Sequence, residues 1–384
     1  MSEQLQRMQS FLLQDPKNIN LIQDCFNLSF ELGKFDIAQT ILDSATKNNI
    51  YNSLIQFYQS KIYLAAGQFK LACEVLNELI DSGVENSGII YNLIWAKFNL
   101  EEFDELLSDL AKYERYLEEY PPITLIKVRA LHHLQRIDEA LSILQNYLKS
   151  HKDDPEANGL ASLLFVDLSQ IEKSREVANI ALSIDPNNHE ALTSLSTIAL
   201  NSQEPDKALE FLNKNIELTH QSGRMMLNLG QAQMLQMDFI SAETSLKEAT
   251  VLMSNHIGTW HMLAWIEIVL NKFDDAKKYF EKAMVLDRNF SESHGGLAVV
   301  AIYQKNLTLA KSLIKKSIRL DPECVSGRYA ESLILELEGK DELAKSKVNS
   351  ILTSSHSAEG IPIKNLIEKA NARIKLDSKN NTIH

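Results

Sequence analysis

The sequence predicts an all-α solenoid of antiparallel helix pairs, and three observations carry that reading. First, one pattern returns every 34 residues. Steps of that size from Ala276 land on Ala38, Ala72, Leu106, Ala140, Ser174, Ala208, Ala242, Ala310 and Ala344, so eight of the ten places hold Ala. Second, larger apolar residues keep the same phase. Four places later stand Leu42, Leu76, Leu110, Leu144, Ala178, Leu212, Leu246, Phe280, Ile314 and Val348. Third, the spacing within a period is helical. Trp260, Leu263, Ala264 and Glu267 fall at i, i+3, i+4 and i+7, and Ala276, Phe280 and Ala283 mark one face of a second segment. Two amphipathic segments per period give one helix pair per repeat, stacked on its neighbours.

The elements follow in order. Residues 1–18 read as an N-terminal capping helix, with Met8, Phe11 and Leu12 inward and Asp15-Pro16 where Asp185-Pro186 and Asp321-Pro322 end later repeats. Ten repeats then start at 19, 53, 87, 121, 155, 189, 223, 257, 291 and 325 and run to 358. Twelve places before the recurrent Ala stand the small residues Ser60, Ser162, Ser196, Gly230, Ala264, Ala298 and Ser332. They let two helices cross closely, where a bulky side chain would cost about 1–3 kcal/mol. Gly33, Gly67 and Gly339 mark the turn between the helices. Asp36, Asp104, Asp138, Asp206 and Asp274 stand where N-caps of the second helices are expected. Thr124, Lys127 and Val128 weaken the fourth repeat, and Pro205 replaces an aromatic in the sixth. Beyond 358, Ile363, Leu366, Ile367, Ala370 and Ile374 form one stripe, which predicts a C-terminal capping helix over 359–376. Residues 377–384 read as a disordered tail.

These residues resemble the tetratricopeptide repeat family. The likeness rests on the length of 34, the Trp/Leu/small pattern of the first helix, the Ala/aromatic/Ala pattern of the second and the terminal Asp-Pro, and it covers residues 19–358. It implies a right-handed α-α superhelix whose first helices line a concave groove. One mode of that family clamps a C-terminal carboxylate with Lys and Asn at fixed groove positions. Here those positions hold Gln23 and Asn27, Phe57 and Lys61, Tyr91 and Trp95, and His261 and Trp265, so the basic clamp is absent.

Composition narrows the function classes. A net charge of −12 is a poor match for a phosphate backbone, so nucleic acid is not an expected partner. Cys25, Cys73 and Cys324 form no C-x-x-C and no zinc spacing, which suits a reducing, cytoplasmic setting. The N-terminus lacks the charged and apolar regions of a secretory signal. No apolar run is long enough for a membrane span. There is no P-loop, no G-x-S-x-G and no kinase signature, so no catalytic residue is assigned. Asp274-Asp275 and Glu101-Glu102 read as helix-start acids. Neighbouring His132 and His133 project about 100° apart and cannot share a metal, so no metal or cofactor is expected.

What remains is a second stripe on each first helix, one residue after the packing stripe. It offers Phe57, Lys61 and Leu64; Tyr91, Trp95 and Phe98; Arg129, His132 and His133. After mixed fifth and sixth repeats come Leu227, Met234 and Leu235; His261, Trp265, Ile268 and Val269; Val299, Ile302 and Tyr303; Tyr329, Leu333 and Leu337. Two apolar patches result, over repeats two to four and seven to ten. The competing account, in which Leu64, Ile268 and Ile302 wedge between first helices as core, is weakest for Trp95, Trp265 and Tyr303. The expected partner-binding residues are Phe57, Tyr91, Trp95, Phe98, Arg129, His132, Leu227, Met234, His261, Trp265, Val299, Tyr303, Tyr329 and Leu333. The expectation is a non-catalytic adaptor that takes a peptide or helical segment of a protein partner. The alternatives are the repeat region of a sulfo- or glycosyltransferase system, and a scaffold that assembles with its own copies.

Overall fold

The computed structural model describes residues 3–216 and 222–354, and every regular element among them is an α-helix. The expected capping helix over 359–376 and the tail over 377–384 lie outside the described residues. The chain divides into two compact units between Lys152 and Asp153. The N-terminal unit holds α1 (Glu3–Gln14), α2 (Ile19–Glu31), α3 (Phe35–Lys47), α4 (Ser53–Ala65), α5 (Phe69–Asp81), α6 (Ser87–Asn99), α7 (Phe103–Lys112), α8 (Arg115–Glu119), α9 (Pro122–His133) and α10 (Ile137–Ser150). The C-terminal unit holds α11 (Pro155–Asp167), α12 (Ile171–Ile184), α13 (His189–Asn201), α14 (Pro205–Ile216), α15 (Gly223–Leu235), α16 (Phe239–Leu252), α17 (Ile257–Val269), α18 (Phe273–Leu286), α19 (Ser291–Tyr303), α20 (Leu307–Leu320), α21 (Val325–Leu337) and α22 (Asp341–Ser354).

The turn inside each pair is built one way throughout. Gly33, Gly67 and Gly339 have φ of 66°, 69° and 71°. The same place holds Glu101, Gln135, Ser169, Gln203, Met237, Asn271 and Lys305, all with φ between 57° and 62°. The left-handed conformation costs a side-chain-bearing residue about 1–2 kcal/mol. It is kept because it lets the next N–H reach back five residues, as in Lys34 to the Ser29 carbonyl at 2.8 Å and Lys272 to the Glu267 carbonyl at 2.7 Å.

Capping corrects one expectation. Asp36, Asp104, Asp138, Asp206 and Asp274 stand second in their helices, after Phe35, Phe103, Ile137, Pro205 and Phe273. An Asp inside the first turn has helical backbone, so it complements the helix dipole rather than acting as the cap. The side-chain caps gather on the first helices. Asn18, Asn52, Asn86, Asp154, Asn188 and Ser222 each accept a backbone N–H from the third residue on, and they keep the 34-residue phase. In α21 the cap Cys324 is supplemented by Glu292 of α19, whose oxygens accept from Val325 N–H at 2.7 Å and Ser326 N–H at 2.9 Å.

The third repeat departs from the pattern. Its second segment is split into α7 and the short α8. The break falls at Tyr113, a place where Ala45, Ala181, Ala249 and Ala283 sit buried, and Tyr116 is buried instead. Pro121 then excludes helical backbone at Tyr120, which is extended at φ −134°, ψ 86°.

The core lies between the helices of each pair and between neighbouring pairs. Phe26, Leu42, Leu76, Leu106, Leu144, Leu212, Leu246 and Phe280 are each no more than 1% exposed. In the C-terminal unit first helices also pack on one another, α11 on α13, α13 on α15, α17 on α19 and α19 on α21, and no pair of second helices does so to a comparable extent. Small and polar residues make this possible. Ser162 donates to Ser194 at 2.7 Å, and the Asn228 amide donates to Ser196 and Thr197 at 2.9 and 2.8 Å. At α19 and α21 the approach is closer still, because a Cβ on Gly295 would stand 2.4 Å from the Gly327 nitrogen.

Candidate functional site

The predicted stripe falls on the first helices, and each unit carries its own part. In the N-terminal unit α6 supplies Tyr91, Trp95 and Phe98. Tyr91 meets Tyr120 edge to face at 5.3 Å, and Phe98 lies between Trp95 at 6.0 Å and Phe103 at 5.5 Å. His133 stacks on Phe103 at 4.8 Å and closes that cluster. Trp95 stays 36% exposed, whereas Phe57, Tyr91 and Phe98 are half-buried. Arg129 and His132 on α9 are half-buried too. Lys61 extends over the Phe30 ring at 4.7 Å, so its charge rests on an aromatic face.

In the C-terminal unit the centre is α17. The Trp265 indole N–H donates to His261 Nε2 at 2.9 Å, which requires a neutral imidazole. Phe280 and Phe290 flank His261 with centroids at 5.2 and 5.7 Å. Burial pulls the His261 pKa down to about 4, against a smaller opposing pull from Glu292. Trp265 touches Phe280 and Tyr329, at 6.0 and 6.2 Å, and is half-buried. Tyr303 stacks flat on Phe273 at 5.0 Å and is 44% exposed. Leu227, Met234, Tyr329 and Leu333 are half-buried against the core.

One predicted site residue is corrected. Val299 is fully buried, so it lines no surface. Glycines 295 and 296 draw α19 against α21 and against Phe280, which turns its whole middle inward, with Leu297 to Ile302 all buried. Ile268 and Ile302, at 8% exposure, belong to the same core.

Tyr303 of the predicted site residues belongs to a wider regularity. Leu235, Val269, Tyr303 and Leu337 close α15, α17, α19 and α21, one period apart, and are 36%, 48%, 44% and 62% exposed. In the preceding repeats the place holds Asn99, His133, Asp167 and Asn201. The switch from polar to apolar at one fixed phase is visible in the sequence once the phase is tracked rather than the residue type.

A buried polar cluster lies on the other side of α17. Glu267 is fully buried and neither carboxylate oxygen accepts a hydrogen bond. Lys247 and Lys272 stand 3.6 and 3.8 Å away but bond to Glu243 instead. Burial, aided by the Glu243 charge, raises the Glu267 pKa. Cys25, Cys73 and Cys324 are free thiols, and burial pushes Cys73 to about 11, far from a reactive thiolate. Among the described residues no helix is long and apolar enough to cross a membrane.

A model of the tetratricopeptide repeat family matches residues 257–290. The BBSome complex member BBS4 of Bos taurus is 23% identical over 298 residues, which are 75% of this chain and 57% of that protein. The chain thus spans little more than half the length of that relative. Among solved structures, the APC/C hetero-tetramer Cut9–Hcn1 aligns with a TM-score of 0.58 at 14% identity, over 77% of this chain and 58% of that one. The IFIT1 monomeric mutant with Gppp-AAAA aligns with a TM-score of 0.50 at 15% identity, over 86% of this chain and 83% of that one. These likenesses show an all-α superhelical repeat fold.

Proposed function

The chain is a tetratricopeptide repeat protein, and we propose that it is a non-catalytic adaptor that holds a peptide or helical segment of a protein partner on its first helices. The observation that carries this reading is the apolar ridge of Leu235, Val269, Tyr303 and Leu337, with Trp265 half-buried near it. In the C-terminal unit α17 packs on α19 and α19 on α21, and no pair of second helices packs to a comparable extent, which supports a surface curved toward this part of the ridge. Contiguous apolar side chains left in water mark binding surfaces. A few hundred Å² of such area, at about 25 cal/mol per Å², contributes several kcal/mol before the cost of association. The relative named as a complex member supports a partner that is itself a subunit of an assembly. The free thiols support a cytoplasmic setting.

The test is affinity capture followed by mass spectrometry with the full chain and its Val269→Ser, Tyr303→Ala variant. Both residues are exposed, so helicity stays at the wild-type level. Partners held on the ridge are expected to fall about tenfold in recovery, the loss of one or two hot spots. An unchanged set of captured proteins overturns the proposal. A loss of self-association on dilution, read by light scattering, would assign the ridge to a second copy instead.

A further inference from the structure

Helix α20 stands apart in charge. Its sequence LTLAKSLIKKSIRL holds Lys311, Lys315, Lys316 and Arg319 and no acid, in a chain of net charge −12. Ile314, Lys315, Ile318 and Arg319 share one helix face by spacing. That face is one wall of an open trough of about 530 Å³, and Ile334 and Leu335 of α21 continue its apolar floor. At 100° per residue these α21 side chains lie opposite Tyr329 and Leu333, and none of Leu235, Val269, Tyr303 and Leu337 lines the trough. On the far flank of α20, Lys316 borders a smaller hollow of about 210 Å³ with Met284 and Val285.

The trough's charges are unevenly matched. Glu338 accepts from Lys311 at 2.9 Å and from Lys340 at 2.8 Å, and Glu331 pairs with Lys347 of α22. Its acids are therefore taken. Among the described residues no ion pair reaches Lys315, Lys316 or Arg319. Lys315 and Arg319 are exposed on the rim above the apolar floor. Spare cations beside a concave apolar floor fit a ligand that is apolar on one side and anionic on the other. A flat bilayer does not reach such a floor, and a phosphate backbone has no apolar side to rest on it. The chain's own residues 355–384 carry five Lys or Arg against three Asp or Glu, the wrong sign for this rim.

We propose that the trough between α20 and α21 is a second docking site and that its occupant is an acidic amphipathic helix of a partner protein. Its apolar side chains rest on the half-buried Ile318 and Leu335 and on the small exposed edges of the core residues Ile314 and Ile334, and its carboxylates meet Lys315 and Arg319. The volume is that of an ordinary ligand cleft, and the apolar-face-in-groove mode is a common one for helices.

The experiment uses the full chain and a labelled synthetic helix of about 18 residues with Leu on one face and Glu on the other, about the length that holds helix in water. Companion probes are the same helix with Lys for Glu, phosphatidylserine vesicles and a short DNA duplex. Saturable binding of the Glu helix is expected, weakened about tenfold or more by Lys315→Glu with Arg319→Glu, and weakened by added salt. Lys315→Gln with Arg319→Gln is expected to weaken it less, and Val269→Ser with Tyr303→Ala to leave it unchanged. Circular dichroism checks that each variant folds. The proposal is overturned by equal binding of the Lys helix, by unchanged affinity in the charge-reversed variant, or by vesicles or DNA binding where the Glu helix does not. A chain ending at Ser354 that binds about tenfold more tightly overturns it too, because the chain's own C-terminal residues would then be the occupant.

Discussion

His261 is held neutral by two things at once: burial among Phe280, Phe290 and Trp265, and an indole N–H that needs its lone pair. Its pKa falls from 6.5 to about 4. Between those values the unfolded chain binds a proton that the folded chain refuses. The stabilisation is complete above 6.5 and is lost as pH falls through this window, by roughly 2 kcal/mol between pH 7 and 5. Urea midpoints at those two pH values are expected to separate less in His261→Gln than in wild type. Equal separation would remove His261 as the source. Glu267 titrates with the opposite sense. Its raised pKa means that the folded state disfavours its charge, so Glu267→Gln is expected to raise the urea midpoint at pH 7 and the gain to vanish as pH falls. Helical spacing reveals in the sequence that His261 and Trp265 are neighbours. It does not reveal that they bond to each other, because that depends on rings brought in from α18 and the following turn.

At the scale of elements, the glycines of α19 and α21 decide which side chains face water. Adding a Cβ at Gly295 meets backbone at 2.4 Å, and backbone does not yield as a flexible side chain does. Gly295→Ala is therefore expected to cost about 1–3 kcal/mol and to loosen α19 from α21. Chemical denaturation measures the cost, and faster hydrogen exchange in α21 locates it. A change within experimental error would mean the contact is softer than its geometry. The buried middle of α19 was not legible beforehand, since Val299 keeps the stripe phase and only the close helix approach seals it. The caps were legible but misplaced. Asp is frequent near the second helices, yet the residue that matters is the one just outside the helix, and Asn52, Asn86 and Asn188 held that place in phase.

At the scale of the whole molecule, the repeat is readable in the sequence because its period never slips, and the helix pairs among the described residues keep that phase. The division between Lys152 and Asp153 was not readable, because the step from Ala140 to Ser174 is the same 34 residues as every other. A chain ending at Lys152 contains its own core clusters, built on Phe26, Leu76 and Leu106. It is expected to be helical and to unfold cooperatively in urea, which circular dichroism measures; a featureless, non-cooperative melt would refute its independence.

The left-handed corner between paired helices answers only to its own half-dozen residues, since Lys34 reaches no further back than Ser29. Such a joint cannot tell how many others precede it. Length in this architecture is therefore a dial that clicks in whole periods: a copy excised or duplicated in frame leaves each remaining corner chemically unaware of the edit, whereas an insertion of another size inside a helix turns its apolar face out of phase with its neighbours.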